Sequence, residues 1–171
     1  MERALQAQLD RATELGDDDL SGGPGALWEV APEDQSMPLA RSVHGDFRNG
    51  NLIVGADGLR AVVDWEYAHL GEPLEDLGFL CMRPWRFGND DAEVGGFGSR
   101  DQLYRAYEEA GGGPVDPELV RFWEVVGNLK WGALCVLRGM EHASGKKRSV
   151  ELAAIGRRVA ETEYDLLELL A

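Results

Sequence analysis

The chain has 171 residues, 44% of them hydrophobic, and carries a net charge of -14. That length can bury the core of a single domain, while the acidity argues against nucleic acid, whose phosphates need a basic footprint. No stretch approaches the roughly 18 apolar residues of a membrane span, and Met1-Glu2-Arg3 does not open a signal peptide, so a cytoplasmic protein without membrane contact is expected.

Residues 1–15 read as one amphipathic helix with Leu5, Leu9 and Ala12 on a face, followed by a Gly-, Pro- and Asp-rich connection in which Asp17-Asp18-Asp19 stays solvated. The run His44-Gly45-Asp46-Phe47-Arg48-Asn49-Gly50-Asn51 comes next, and Asp64-Trp65-Glu66 follows it. Asp46 and Asn51 have the spacing of phosphoryl-transfer loops, where an Asp orients the attacking hydroxyl and an Asn with a later Asp holds magnesium. A phosphoryl group is moved mainly by positioning and cations, so oxygen ligands for a hard metal must gather beside one base. The bland alternative is a plain loop, since His, Gly, Asp and Asn are ordinary turn residues. His44 orders the loop through its ring rather than exchanging protons. Leu52, Ile53 and Val54 face Ala61, Val62 and Val63 as short strands around an Asp57-Gly58 turn. In that register Asn51 stands opposite Asp64, with Cβ atoms about 5 Å apart.

From residue 70 the chain turns helical. Glu75-Asp76 precedes the apolar run 77–82, and Asp76 reads as an N-cap in preference to a neighbour of the metal site. Residues 85–98 show no period and suit a substrate-facing loop or surface irregularity equally. Ser99 can cap a helix over 100–110 that ends at Gly111-Gly112-Gly113, and Asp116-Pro117-Glu118 opens a second over 117–142. In the second helix Leu119, Phe122, Trp123, Val126, Leu129, Leu134 and Leu137 lie nearly all round, the pattern of a buried bundle centre. A third, over 147–170, turns Leu152, Ile155, Val159 and Leu166 inward. Trp123 and Trp131 have core spacing, and Cys81 and Cys135 read as buried reduced thiols. Lys146-Lys147-Arg148 caps or solvates a helix start. The acidity either concentrates a cationic substrate or only solvates the surface, and the second carries more weight.

Val43 to Arg48, Gly50-Asn51-Leu52, Val63 to Glu66 and Gly71-Glu72-Pro73-Leu74-Glu75-Asp76-Leu77 resemble the aminoglycoside phosphotransferase family, closely over residues 26–84 and loosely elsewhere. The resemblance implies an α+β, mainly α fold: the C-terminal lobe of a protein-kinase-like enzyme, a helical bundle with a β-hairpin bearing the catalytic loop. It implies Asp46 as catalytic base with His44 in support, Asn51 and Asp64 as magnesium ligands, Mg2+ and ATP as cofactors of the complete enzyme, and a small-molecule hydroxyl as acceptor. Asp64-Trp65-Glu66 and His69-Leu70-Gly71 are most similar to a branch associated with acyl-CoA dehydrogenases, away from the antibiotic-resistance enzymes. The departure lies at the front, where 43 residues precede His44 and the first lysine is Lys130. Residues 1–171 are therefore expected to be a single domain, the C-terminal lobe without its nucleotide-binding lobe. A non-catalytic one-lobed module, self-associating as a homodimer, and a metal-dependent phosphohydrolase are the other classes considered.

Overall fold

Among the described residues, four short strands precede the helices. The computed structural model describes residues 41–171, so the helix expected over 1–15 and its connection lie outside the described residues. β1 (Arg41–Val43) pairs antiparallel with β4 (His69–Gly71), setting Val43 opposite His69. Between them β2 (Leu52–Gly55) and β3 (Gly58–Val62) form a hairpin.

The hairpin register departs from the expected one. Gly55 pairs with Gly58, so the loop is Ala56-Asp57, and Gly58 enters β3 at φ 112°, a conformation that glycine adopts at little cost. Pairing runs Val54 with Leu59 but Ile53 with Ala61, leaving Arg60 as the extra residue of a bulge. Its guanidinium donates back to Asp57 at 2.8 and 2.9 Å. Asn51 consequently stands opposite Val63, whose N–H donates to the Asn51 carbonyl at 3.0 Å, and Asp64 falls one step beyond.

Five helices follow. α1 (Leu74–Cys81) buries Leu74, Leu77, Phe79, Leu80 and Cys81. α2 (Arg100–Glu109) starts in a capping box, the Ser99 hydroxyl accepting from the Gln102 N–H while the Gln102 side chain accepts from the Ser99 N–H. α3 (Pro117–Ala143) is capped by Asp116, with Pro117 at the first helical position as expected. The anticipated third helix is two: α4 (Val150–Arg157), capped by Ser149 and not begun at residue 147, and α5 (Val159–Leu170), with a break at Arg158. α4 crosses α3 where Gly156 meets Gly139 backbone to backbone; a Cβ on Gly156 would stand 2.6 Å from the Gly139 Cα. Six residues on, Thr162 faces Gly132.

α3 is also less buried than its composition suggests. Its inward face carries Val120, Glu124, Gly127, Asn128 and Cys135, while Phe122, Leu129 and Leu137 are each more than half exposed. α1, α4 and α5 pack on α3, and α1 comes especially close. A Cβ on Gly78 would lie 2.7 Å from both the Trp123 Cβ and the Val120 carbonyl oxygen. Two apolar clusters result. Leu74, Leu77, Leu80, Cys81, Val94 and Val120 form one, with Trp123 against it, and Phe79, Met82 and Trp85 form the other, with Trp131 against it. Burying each of the larger side chains contributes about 1.5–3 kcal/mol. Buried Glu124 answers Arg100 at 2.8 Å and Arg86 at 3.7 Å, tying the segment before α2 to α3. Among the described residues no helix is long and apolar enough to cross a membrane.

Candidate active site

The loop from His44 to Asn51 leaves β1 at its buried end, with His44 only 2% exposed, and returns through a 3-10 turn at Asn49–Asn51 into β2. A loop so deep must satisfy its own backbone. The N–H groups of His44 and Gly45 donate to the two carboxylate oxygens of Asp76, at 2.8 and 3.0 Å. The Asp46 N–H donates to His44 Nδ1 at 3.2 Å, and the Asp46 carbonyl accepts from the Asn51 amide at 2.9 Å. The Gly45 carbonyl accepts from Lys130 at 3.1 Å. Gly45 itself turns at φ 77°, where a Cβ would stand 2.6 Å from the Tyr67 carbonyl oxygen, so both conformation and space call for glycine.

Asp76 thus departs from the expected helix cap. The residue preceding α1 is Pro73, which offers no side-chain cap, and Asp76 in the first turn reaches back to clamp the loop. Burial raises its carboxyl above the usual range, opposed by the N–H groups of His44 and Gly45.

His44 joins the loop to the end of β3. Because Nδ1 accepts from the Asp46 N–H, the neutral ring carries its proton on Nε2 and donates it to the Val63 carbonyl at 3.0 Å. Trp65 lies against the imidazole with ring centroids 4.5 Å apart. Val63 is therefore held at both peptide groups, its N–H by the Asn51 carbonyl and its C=O by His44.

The three remaining motif residues gather around that strand end. The Asn51 amide nitrogen donates to the Asp46 carboxylate at 2.8 Å, which leaves its side-chain oxygen without a hydrogen-bond partner among the described residues. Arg48 Nε lies 3.1 and 3.2 Å from the two oxygens of the same carboxylate, and its guanidinium rests over the Trp85 ring at 5.0 Å. Asp64 is exposed in the left-handed region at φ 70°, ψ 55°, a conformation costing a non-glycine residue about 1–2 kcal/mol. Its carboxylate has no hydrogen bond among the described residues.

This donor set fits magnesium. One carboxylate and one amide oxygen are hard ligands, too few for a protein-only cage and suited to an ion that keeps waters and shares substrate phosphates. No group of three or more His, Cys, Asp or Glu side chains able to hold a metal occurs among the described residues.

The irregular segment 85–98 touches the loop from outside. The Asn49 amide donates to the Gly95 carbonyl at 2.7 Å, while Val94, 2% exposed, anchors the segment in the core. A separate cleft of about 700 Å³ is lined by residues including Arg83, Asp90, Arg158, Tyr164 and Asp165. Its charges pair among themselves, Arg83 with Asp90 at 2.7 Å and with Asp165 at 3.5 Å, and none of these residues bonds to Asp46, Asn51 or Asp64.

Arg48 and Lys130 join the site without a role readable for them from sequence, although Arg48 lies inside the motif. Asp76 reads from sequence as a helix cap in preference to a neighbour of the metal site; the structure gives it the loop. Lys130, 85 residues from Gly45, left no local signal.

Comparison with known proteins bears on family and fold. The model of the phosphotransferase enzyme family, APH, matches residues 2–112. The chain is 34% identical over 55 residues to the acyl-CoA dehydrogenase IBR3 of Arabidopsis thaliana, covering 31% of this chain and 7% of that protein. It is 45% identical over 42 residues to acyl-CoA dehydrogenase family member 10 of Mus musculus, covering 23% and 4%. A crystal structure from Ralstonia eutropha, provisionally described as an aminoglycoside phosphotransferase, superposes with a TM-score of 0.62 at 24% identity. That match covers 82% of this chain and 44% of the other, and it shows a shared fold. The chain thus spans under half of that structure and under a tenth of either dehydrogenase. With more than half of its length matched by the family model, the chain belongs to the phosphotransferase enzyme family.

Proposed function

We propose that the protein transfers the γ-phosphate of ATP to the hydroxyl of a small molecule, through a site equivalent to that of the larger lobe of protein kinases. Asp46 accepts the hydroxyl proton and orients the oxygen for attack. Its carboxylate is fixed for that task by the Asn51 amide, while Arg48 supplies a positive charge beside it. Asn51, through its side-chain oxygen, and Asp64 hold magnesium. The metal, when bound, neutralises phosphate charge that these side chains could not neutralise themselves.

The observation that carries the proposal is the double tether of Val63, which sets Asp64 one residue beyond a strand end already pinned to Asn51 and His44. That tether between two distant stretches of sequence supports the reading that the oxygens of Asn51 and Asp64 serve one cation. The dehydrogenase names of the two relatives, set beside the phosphotransferase name of the structural neighbour, leave the acceptor open between an amino sugar and another alcohol.

The test is transfer of label from γ-labelled ATP with magnesium to a panel of amino sugars, amino alcohols and sugars. Acceptor-dependent labelling is expected, with Asp64→Asn raising the magnesium needed for half-maximal rate about tenfold or more. Label released as inorganic phosphate whatever acceptor is present would replace the proposal with a phosphohydrolase.

A further inference from the structure

Lys130 projects from the middle of α3 and ends at the loop. Its ammonium donates to the Gly45 carbonyl at 3.1 Å and stands 4.0 Å from Glu75, which in turn lies 3.2 Å from His69. The same ammonium lies 5.5 Å from the centre of the Tyr67 ring and 5.8 Å from that of Phe79, both within range of a cation over an aromatic face. One charged group therefore touches three segments: the loop carrying Asp46, the turn that follows Asp64, and the helix carrying the Asp76 clamp.

The contact falls on the peptide that joins Gly45 to Asp46. The N–H of that peptide is held by His44 and its carbonyl by Lys130, so the unit on which Asp46 hangs is fixed at both ends. The other devices come from within the motif, from the end of β3, from helix α1 and from the 85–98 segment. Among the described residues, Lys130 is the hydrogen-bonding tie from the loop to the long scaffold helix.

We propose that Lys130 is a positioning residue for phosphoryl transfer, holding the Gly45–Asp46 peptide so that the Asp46 carboxylate meets the acceptor hydroxyl. This rests on the function proposed above. A misplacement of the base by a fraction of an ångström affects the chemical step far more than nucleotide binding.

The experiment compares Lys130→Met, which keeps the stem over Tyr67 and Phe79 but deletes the ammonium, with Lys130→Arg, which restores a donor. Steady-state rates with MgATP and the acceptor found above, or water if none is found, are measured beside amide hydrogen exchange at Gly45 and Asp46. For Lys130→Met the expected results are a fall in kcat of about 10- to 100-fold, a KM for MgATP within about twofold of the parent, and faster exchange at both amides. Lys130→Arg is expected to recover most of the rate. A kcat unchanged in Lys130→Met, or losses that Lys130→Arg fails to relieve and that track melting temperature, would overturn the positioning role. If the parent chain transfers no phosphoryl group, the proposed function fails, and exchange decides Lys130 separately: unchanged protection at Gly45 and Asp46 overturns the inference.

Discussion

Asp76 shows how much of the site depends on one side chain outside its motif. Both carboxylate oxygens are used by backbone N–H groups of the loop, each a charge-assisted bond contributing about 1.5–3 kcal/mol. Asp76→Asn keeps one acceptor and turns an NH2 toward the other N–H. A fall in kcat of about tenfold or more is expected, with a lower unfolding midpoint; an unchanged rate would show that the loop holds its shape without the clamp. Gly45→Ala is expected to do more harm, because it combines about 1–2 kcal/mol of left-handed strain with a Cβ directed at the Tyr67 carbonyl. Thermal melting and turnover read both variants. At this scale spacing within two short runs offers His44, Asp46, Asn51 and Asp64 as candidates, and hydrogen bonds join His44 to Asp46 and Val63, and Asn51 to Asp46. Asp76 reads from sequence as a helix cap because a first-turn carboxylate ordinarily serves its own helix, and a lysine 85 residues from Gly45 leaves no periodic trace.

Among the elements, the helices announced themselves best where caps are chemical. Ser99 and Asp116 each begin a helix where their side chains accept the N–H groups of the first turn, and replacing either with Ala is expected to lower stability by about 1 kcal/mol in urea titration. The hairpin was legible as a pair of strands but not in register. Gly58 serves as the first residue of β3, and Arg60 bulges to meet Asp57, so the pairing slips by one. That slip moves Val63 opposite Asn51 and leaves Asp64 free of the ladder, in the left-handed turn that presents its carboxylate. The division of the last helix at Arg158 was illegible, and so were the contacts with α3 on either side of it, Gly156 on Gly139 and Thr162 on Gly132, which no single-helix period records. Gly156→Leu is expected to be among the most destabilising changes in α4, since the added side chain has only backbone to displace. A melting temperature within a degree or two of the parent would contradict that packing.

For the molecule as a whole, three carboxyls give stability a common pH dependence. Burial raises Asp76, Glu124 and Asp165 above their ordinary values, against the backbone N–H groups of His44 and Gly45, against Arg100, and against Arg83 respectively. The folded state thus binds these protons more tightly than the unfolded chain. Their contribution is full below the unfolded values of 3.8 and 4.5 and is lost as pH rises through the folded ones. Asp165→Asn removes one such group at the edge of the fold, so its urea midpoint relative to the parent is expected to rise from acid toward neutral pH. A relative midpoint that falls over that range would reverse the sign. The mainly helical body with a hairpin beside it was readable from sequence, whereas the exposed Phe122, Leu129 and Leu137 of α3 were not. A helix apolar all round looks the same in sequence whether or not its neighbours cover it.

The most direct measurement is phosphoryl transfer by Asp46→Ala set against its affinity for MgATP. On the proposed roles, in which the base acts on the hydroxyl while Asn51 and Asp64 hold the metal, the expected result is a loss of rate of at least about 10²-fold with nucleotide affinity retained. Transfer by Asp46→Ala at the parent rate would contradict the assignment of the loop to catalysis.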